Sequence, residues 1–124
     1  MSEQSKNTTT PVPAATVLLI RDAEDGVEVF MVERSHRMHF ASALVFPGGL
    51  VDPEDSDPSL LTRCDGIDGL TEAEAALRVA GVRETFEECG VVLARHADVE
   101  TVHEGNEAHD FYKKYHSALN AGDV

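Results

Sequence analysis

The chain has 124 residues, with 23 acidic against 10 basic side chains and a formal net charge of −13. That length bounds it at one small domain, and 42% hydrophobic with 27% charged residues is ordinary for a soluble globular protein. The charge argues against non-specific binding to nucleic acid or to an anionic membrane, both of which need a positive patch. It leaves open a phosphorylated substrate, because a bound metal inverts the local field.

In chain order, residues 1–13 are rich in Ser, Thr and Asn and end in Pro11-Val12-Pro13. They predict a disordered lead-in ahead of a domain over 14–124. The first ten residues lack the apolar centre of a signal peptide. The early apolar run Ala14 to Ile20 is too short to span a bilayer. Cys64 and Cys89 make neither a disulfide framework nor a zinc spacing, so a reduced cytoplasmic home is expected.

Ala14 to Ile20 predicts a first strand and Val27 to Val32 a second, joined across the turn-like Asp22-Ala23-Glu24-Asp25-Gly26 as a hairpin. Arg34, His36, Arg37 and His39 then crowd together, either over a substrate's phosphates or as a solvated loop. Ala43 to Phe46 predicts a short strand that Pro47-Gly48-Gly49 ends, with glycines that let the backbone approach a ligand closely. The stretch from about Ser56 to Leu70 carries Pro58, Gly66, Gly69 and several Asp residues and predicts a loop.

Thr71-Glu72-Ala73-Glu74 fits a capping box, so a helix is expected from Glu72 to Cys89, stopped by Gly90 in the left-handed conformation. At about 100° per residue, Glu84, Glu87 and Glu88 share an arc of roughly 100°. Ala75, Val79, Val82 and Phe86 are expected on the opposite side. Three carboxylates on one face suit a hard divalent cation such as Mg²⁺ or Mn²⁺, and equally suit a solvated acidic face. Gly81 costs the helix about 1 kcal/mol relative to Ala, for which close packing on a sheet is one reason. Val91 to Ala94 predicts a further strand, and Phe111, Tyr115 and Leu119 a last amphipathic helix.

The nonapeptide Arg83-Glu84-Thr85-Phe86-Glu87-Glu88-Cys89-Gly90-Val91 resembles the second half of the Nudix box, R-E-U-x-E-E-x-G-U with U aliphatic, and only Thr85 departs. Upstream, Phe46-Pro47-Gly48-Gly49-Leu50-Val51-Asp52 resembles the first part of the same box, so the resemblance covers roughly residues 14 to 94. The usual box runs G-x5-E-x7-R-E. Here the sixth residue after Gly49 is Asp55, and 27 residues separate it from Arg83. The box is thus split by an insertion of about 20 residues relative to the motif. A second register, from Gly69, would put Ala75 in the acidic position, and Asp55 is preferred because the Phe46-to-Gly49 stretch aligns with it. Asp55 is one methylene shorter than the motif's Glu, which argues against a role for it as a base or as a support behind the metal ligands.

The resemblance implies an α/β/α sandwich of Nudix type with a mixed sheet that takes further strands after the box. Only 34 residues follow Gly90, so a C-terminally incomplete domain is expected. It implies a divalent-metal-dependent hydrolase acting on the diphosphate of a small molecule, a nucleoside diphosphate linked to another moiety. By position, Glu84, Glu87, Glu88 and the Gly48 carbonyl would be metal ligands, and Arg83 would orient a glutamate. Arg34 and Arg37 would contact substrate. The general base would be a box glutamate or a later residue. Glu104 and Glu107 are available, and nothing selects them. The split box looks like the coenzyme A diphosphatase branch, of peroxisomes and bacteria, although Arg34-Ser35 reproduces only part of that branch's upstream pattern and Gly122-Asp123-Val124 is no peroxisomal signal. The alternatives are a non-catalytic Nudix ligand-binding module and an inert partial domain.

Overall fold

The computed structural model describes residues 9–34, 43–100, 109–115 and 118. Six short strands come first: β1 (Ala14–Thr16), β2 (Ile20–Ala23), β3 (Gly26–Val29), β4 (Val32–Arg34), β5 (Ala43–Val45) and β6 (Gly48–Leu50). A 3₁₀ turn (Pro53–Ser56), the single-turn helix α1 (Pro58–Leu61) and the long helix α2 (Glu72–Cys89) follow. Residues 109–115 are helical and form α3.

The two strands expected before residue 33 each divide in two, because their halves satisfy their backbone groups with different neighbours. β2 and β3 form the hairpin, Ala23 opposite Gly26 across a two-residue turn. There Gly26 takes a φ of 132° that a side chain would resist. β1 instead pairs with β6, and β4 with β5. All these ladders are antiparallel. Gly48 and Gly49, expected to end a strand, are themselves paired with β1. Pro13, expected in the lead-in, lengthens that ladder by accepting a hydrogen bond from Val51 N at 3.0 Å.

Helix α2 is bounded as its ends predict. The Thr71 hydroxyl accepts from Glu74 N, and the Glu74 carboxylate accepts from Thr71 N at 2.8 Å. At the other end Gly90 lies at φ 69° and donates to the Phe86 carbonyl. The single apolar face expected of it is not observed. Ala75, Ala76, Ala80, Gly81, Thr85 and Phe86 are buried, positions that spread around the helix, while Val82 is 41% exposed. The cause is that α2 has neighbours on several sides: β1, β6 and the 3₁₀ turn, with the aromatic rings of α3 on Phe86. Gly81 faces the sheet, where a Cβ would come within 3.1 Å of Val17 Cγ2. Close approach therefore accounts for a glycine in mid-helix.

Two further expectations change. Val91 to Ala94 is not a strand, since no described strand lies alongside to complete a ladder; Val92 is buried instead. The stretch 56–70 is not all loop, because Asp57 accepts from Ser59 N at 2.7 Å and starts α1. Its later part is tied down, with Arg78 donating to the Gly66 carbonyl at 3.0 Å and Arg95 paired to Asp65 at 2.6 Å. Phe111 and Tyr115 of α3 meet with their rings tilted at 47° and 4.7 Å between centres; Leu119 lies outside the described residues. Among the described residues no helix is long and apolar enough to cross a membrane.

Candidate active site

Arg83 is the hub of the acidic end of α2. One edge of its guanidinium, Nε and Nη2, meets the two oxygens of Asp55 at 2.9 Å each. Nη2 also donates to the Leu50 carbonyl at 3.0 Å. The remaining nitrogen, Nη1, donates to Glu84 Oε1 at 3.0 Å and to both oxygens of Glu87 at 3.3 Å. The hydrogen bonds to Asp55, before all else, hold the guanidinium more firmly protonated than usual, against the opposing effect of burial. Glu84 is pushed the other way for a carboxylate. Burial raises its pKa above the ordinary value, Arg83 offsets part of that, and the nearby charges of Glu87 and Glu88 add to it.

The strand edge opposite this cluster comes from β6. Val17 N donates to Pro47 O and Val51 N to Pro13 O, so residues 47 and 51 turn their backbone groups toward β1. In an antiparallel ladder that direction alternates, which turns the groups of Gly48 and Leu50 toward α2. Two hydrogen bonds agree: Gly48 N donates to Glu88 Oε2 at 3.3 Å, and Leu50 O accepts from Arg83. Gly49 is required to be small, because a Cβ there would overlap the Glu84 carboxylate. A cleft of about 750 Å³ opens beside this edge, with Gly48, Gly49, Glu88, Arg34, Leu44 and Phe46 among its lining residues.

The structure thus brings Arg83, Glu84 and Glu87 together and sets Glu88 against the Gly48 amide, while Arg34 stands in the cleft wall. Arg37, His36, His39, Glu104 and Glu107 lie outside the described residues. Thr85, the one departure from the aliphatic motif, is fully buried and donates its hydroxyl to the Gly81 carbonyl at 2.7 Å, so the substitution leaves no polar group unsatisfied. Among the described residues no three acidic, His or Cys side chains stand ready as a metal-holding group. Two of the three glutamates are engaged by Arg83 and the third by Gly48. Their donor chemistry nonetheless fits a hard cation, with oxygen ligands only and mutual repulsion that a cation would relieve.

Asp55 reaches Arg83 despite a side chain shorter than the motif's Glu. The 3₁₀ turn carries its backbone inward, its side chain accepts from Asp52 N at 2.8 Å, and it is 1% exposed. The signal was the count from Gly49. Ala75, the competing position, is simply packed in the interior.

A family model described as "NUDIX domain" matches residues 10–119. Among solved structures, the crystal structure of a NUDIX hydrolase from Alicyclobacillus acidocaldarius is similar, at 33% identity and a TM-score of 0.57. The match covers 93% of this chain and 54% of the other, so the chain spans about half the length of that relative.

Proposed function

The chain belongs to the Nudix family, and on that premise we propose that it is a divalent-metal-dependent hydrolase of a small-molecule diphosphate. The bond cut would be the diphosphate of a nucleoside diphosphate linked to another moiety, with coenzyme A or an acyl-coenzyme A as the first candidates. The observation that supports this reading is the gathering of Glu84, Glu87 and Glu88 around Arg83 and the α2-facing edge of Gly48. Those three carboxylates and the Gly48 carbonyl would hold Mg²⁺ or Mn²⁺. When bound, such a cation neutralises phosphate oxygens and lowers the pKa of water.

The chain's own residues would supply position. Arg83 orients Glu84 and Glu87 through charge-assisted hydrogen bonds. Arg34, in the cleft wall, offers a cation to the diphosphate as it enters, with Arg37 a second candidate from outside the described residues. Neither nucleic acid nor a membrane surface is a proposed partner, given the net charge of −13. The cytoplasm is the proposed compartment.

The test is incubation of the purified chain with Mg²⁺ or Mn²⁺ and a pool of coenzyme A, acetyl-coenzyme A, ADP-ribose, NADH, dinucleoside polyphosphates and nucleotide sugars, read by mass spectrometry. Metal-dependent loss of one member is expected. Glu87→Gln and Glu88→Gln should each lower its turnover by orders of magnitude with the melting temperature kept, whereas Glu72→Gln, exposed in the first turn of α2, should not. Equal losses from all three would sink the assignment.

A second reading, a Nudix module that binds without cleaving, draws on the engagement of all three glutamates by protein groups. It predicts saturable binding of a pool member with no loss of it at any metal concentration.

A further inference from the structure

We propose that the outer edge of β1 is a docking site for an extended segment of another polypeptide, one with alternating apolar residues and a positive charge. The antiparallel ladder with β6 uses the backbone of every second residue of β1. Val17 N donates to Pro47 O and Pro13 O accepts from Val51 N, so residues 13, 15 and 17 turn toward β6. Ala14 and Thr16 turn their amides and carbonyls the other way. Among the described residues no strand pairs with that edge, and the ladder stops at two strands. The far edge of β6 differs, since Gly48 N donates to Glu88 and Leu50 O accepts from Arg83. The ladder is thus closed on one side and open on the other. Backbone donors and acceptors set in a row at strand spacing are a template for a further strand.

The surroundings of that edge favour the same occupant. Exposed edges are ordinarily protected by charged side chains, proline or a bulge. Residues 14–20 carry no charge and no proline, whereas the hairpin strands carry Arg21, Asp22 and Glu28. The edge also borders the cleft, which Ala14 and Thr16 line together with Met31, Leu44, Val45 and Leu50. A strand laid along β1 would therefore set its side chains among apolar ones. The sign of its charge follows from the chain's −13, and from Glu33 and Glu88 in the cleft lining, where Arg34 is the one cation among the described residues. Lysine or arginine between the apolar positions suits such a field, and the same field opposes a second copy of this chain as the occupant. The inference does not depend on the reading of the glutamates of α2.

The experiment titrates the intact chain into a labelled, end-blocked peptide, Lys-Val-Lys-Val-Lys-Val-Lys, at low ionic strength and reads fluorescence polarisation. Saturable binding is expected. The same peptide with its two central backbone amides N-methylated keeps its charge and side chains but has both edges blocked. It should bind about 10-fold more weakly or worse, the scale of a few lost hydrogen bonds. Thr16→Pro should weaken the unmodified peptide to the same extent and leave the melting temperature close to wild type, because that amide lies outside the β1–β6 ladder. In the wild type, peptide should slow hydrogen exchange at the Ala14 and Thr16 amides. Equal affinity for the two peptides would reduce the contact to charge attraction and overturn the proposal, as would no binding at all. Should Thr16→Pro fail to fold, exchange in the wild type decides: slowed amides support the edge, and unchanged amides at saturating peptide overturn it. Protection of the same two amides at high chain concentration without peptide would make a second copy the occupant, and would overturn the proposal as well.

Discussion

Glu84 stands where burial and two neighbouring carboxylates work against its charge, and Arg83 offsets only part of that. Its pKa is raised in the folded chain, so the native state holds more protons there than the unfolded state as pH climbs above the ordinary glutamate value of about 4.3. Stability is lost across that window and the deficit is complete above the raised value. Glu84→Gln carries no such cost, so in a chelating, metal-free buffer it should melt higher than wild type near pH 7. Below about pH 4 the two should melt alike. Thermal melts at the two pH values check this, and a variant that melts lower at neutral pH would contradict it. At this scale the spacing along α2 was informative about proximity: Glu84 and Glu87 fall within reach of Arg83, and the folded chain joins them by hydrogen bonds. The reach of Asp55 was not legible, because a side chain one methylene short is compensated by a backbone turn that only the folded chain shows.

Among the elements, α2 was legible to the residue, since its limits are set locally. Thr71 and Glu74 satisfy each other and an orphan amide within one turn, and Gly90 supplies the left-handed stop. Thr71→Ala removes the cap and should cost about 1 kcal/mol, read from chemical denaturation of the whole chain. A change below about 0.3 kcal/mol would mean that tertiary contacts, rather than the cap, hold that end. The strands were less legible, for a physical reason. Ala14 to Ile20 reads as one apolar run, yet its two halves pair with β6 and β3, segments that lie far apart in the chain. Local pattern encodes the preference for extended backbone and is silent on the partner. The same silence misplaced Val91 to Ala94, apolar enough for a strand and without a neighbour among the described residues.

Over the whole molecule, a large net charge sits beside an uncovered apolar surface. In the hairpin, Ile20, Val27 and Val29 share one face and are exposed, while Arg21 and Glu28 pair at 2.6 Å on the other. Leu18 and Met31 continue the exposed apolar run on either side. With a net charge of −13, mutual repulsion opposes the close approach of two such chains at low ionic strength. Raising salt from about 0.01 M to about 1 M shortens the screening length from about 30 Å to about 3 Å. Sedimentation should then show association that Ile20→Lys suppresses; an unchanged sedimentation coefficient would refute this. The bond between Asp55 and Arg83 carries another consequence. It joins the two halves of the box in space, whatever number of residues runs between them along the chain. Doubling that intervening length would add only about 0.6 kcal/mol of closure entropy. A fixed-interval text pattern is therefore blind to this family of sites, whereas a spatial template of the Asp55 carboxylate, the Arg83 fork, Glu84 and the bare Cα of Gly49 would find them at any spacing.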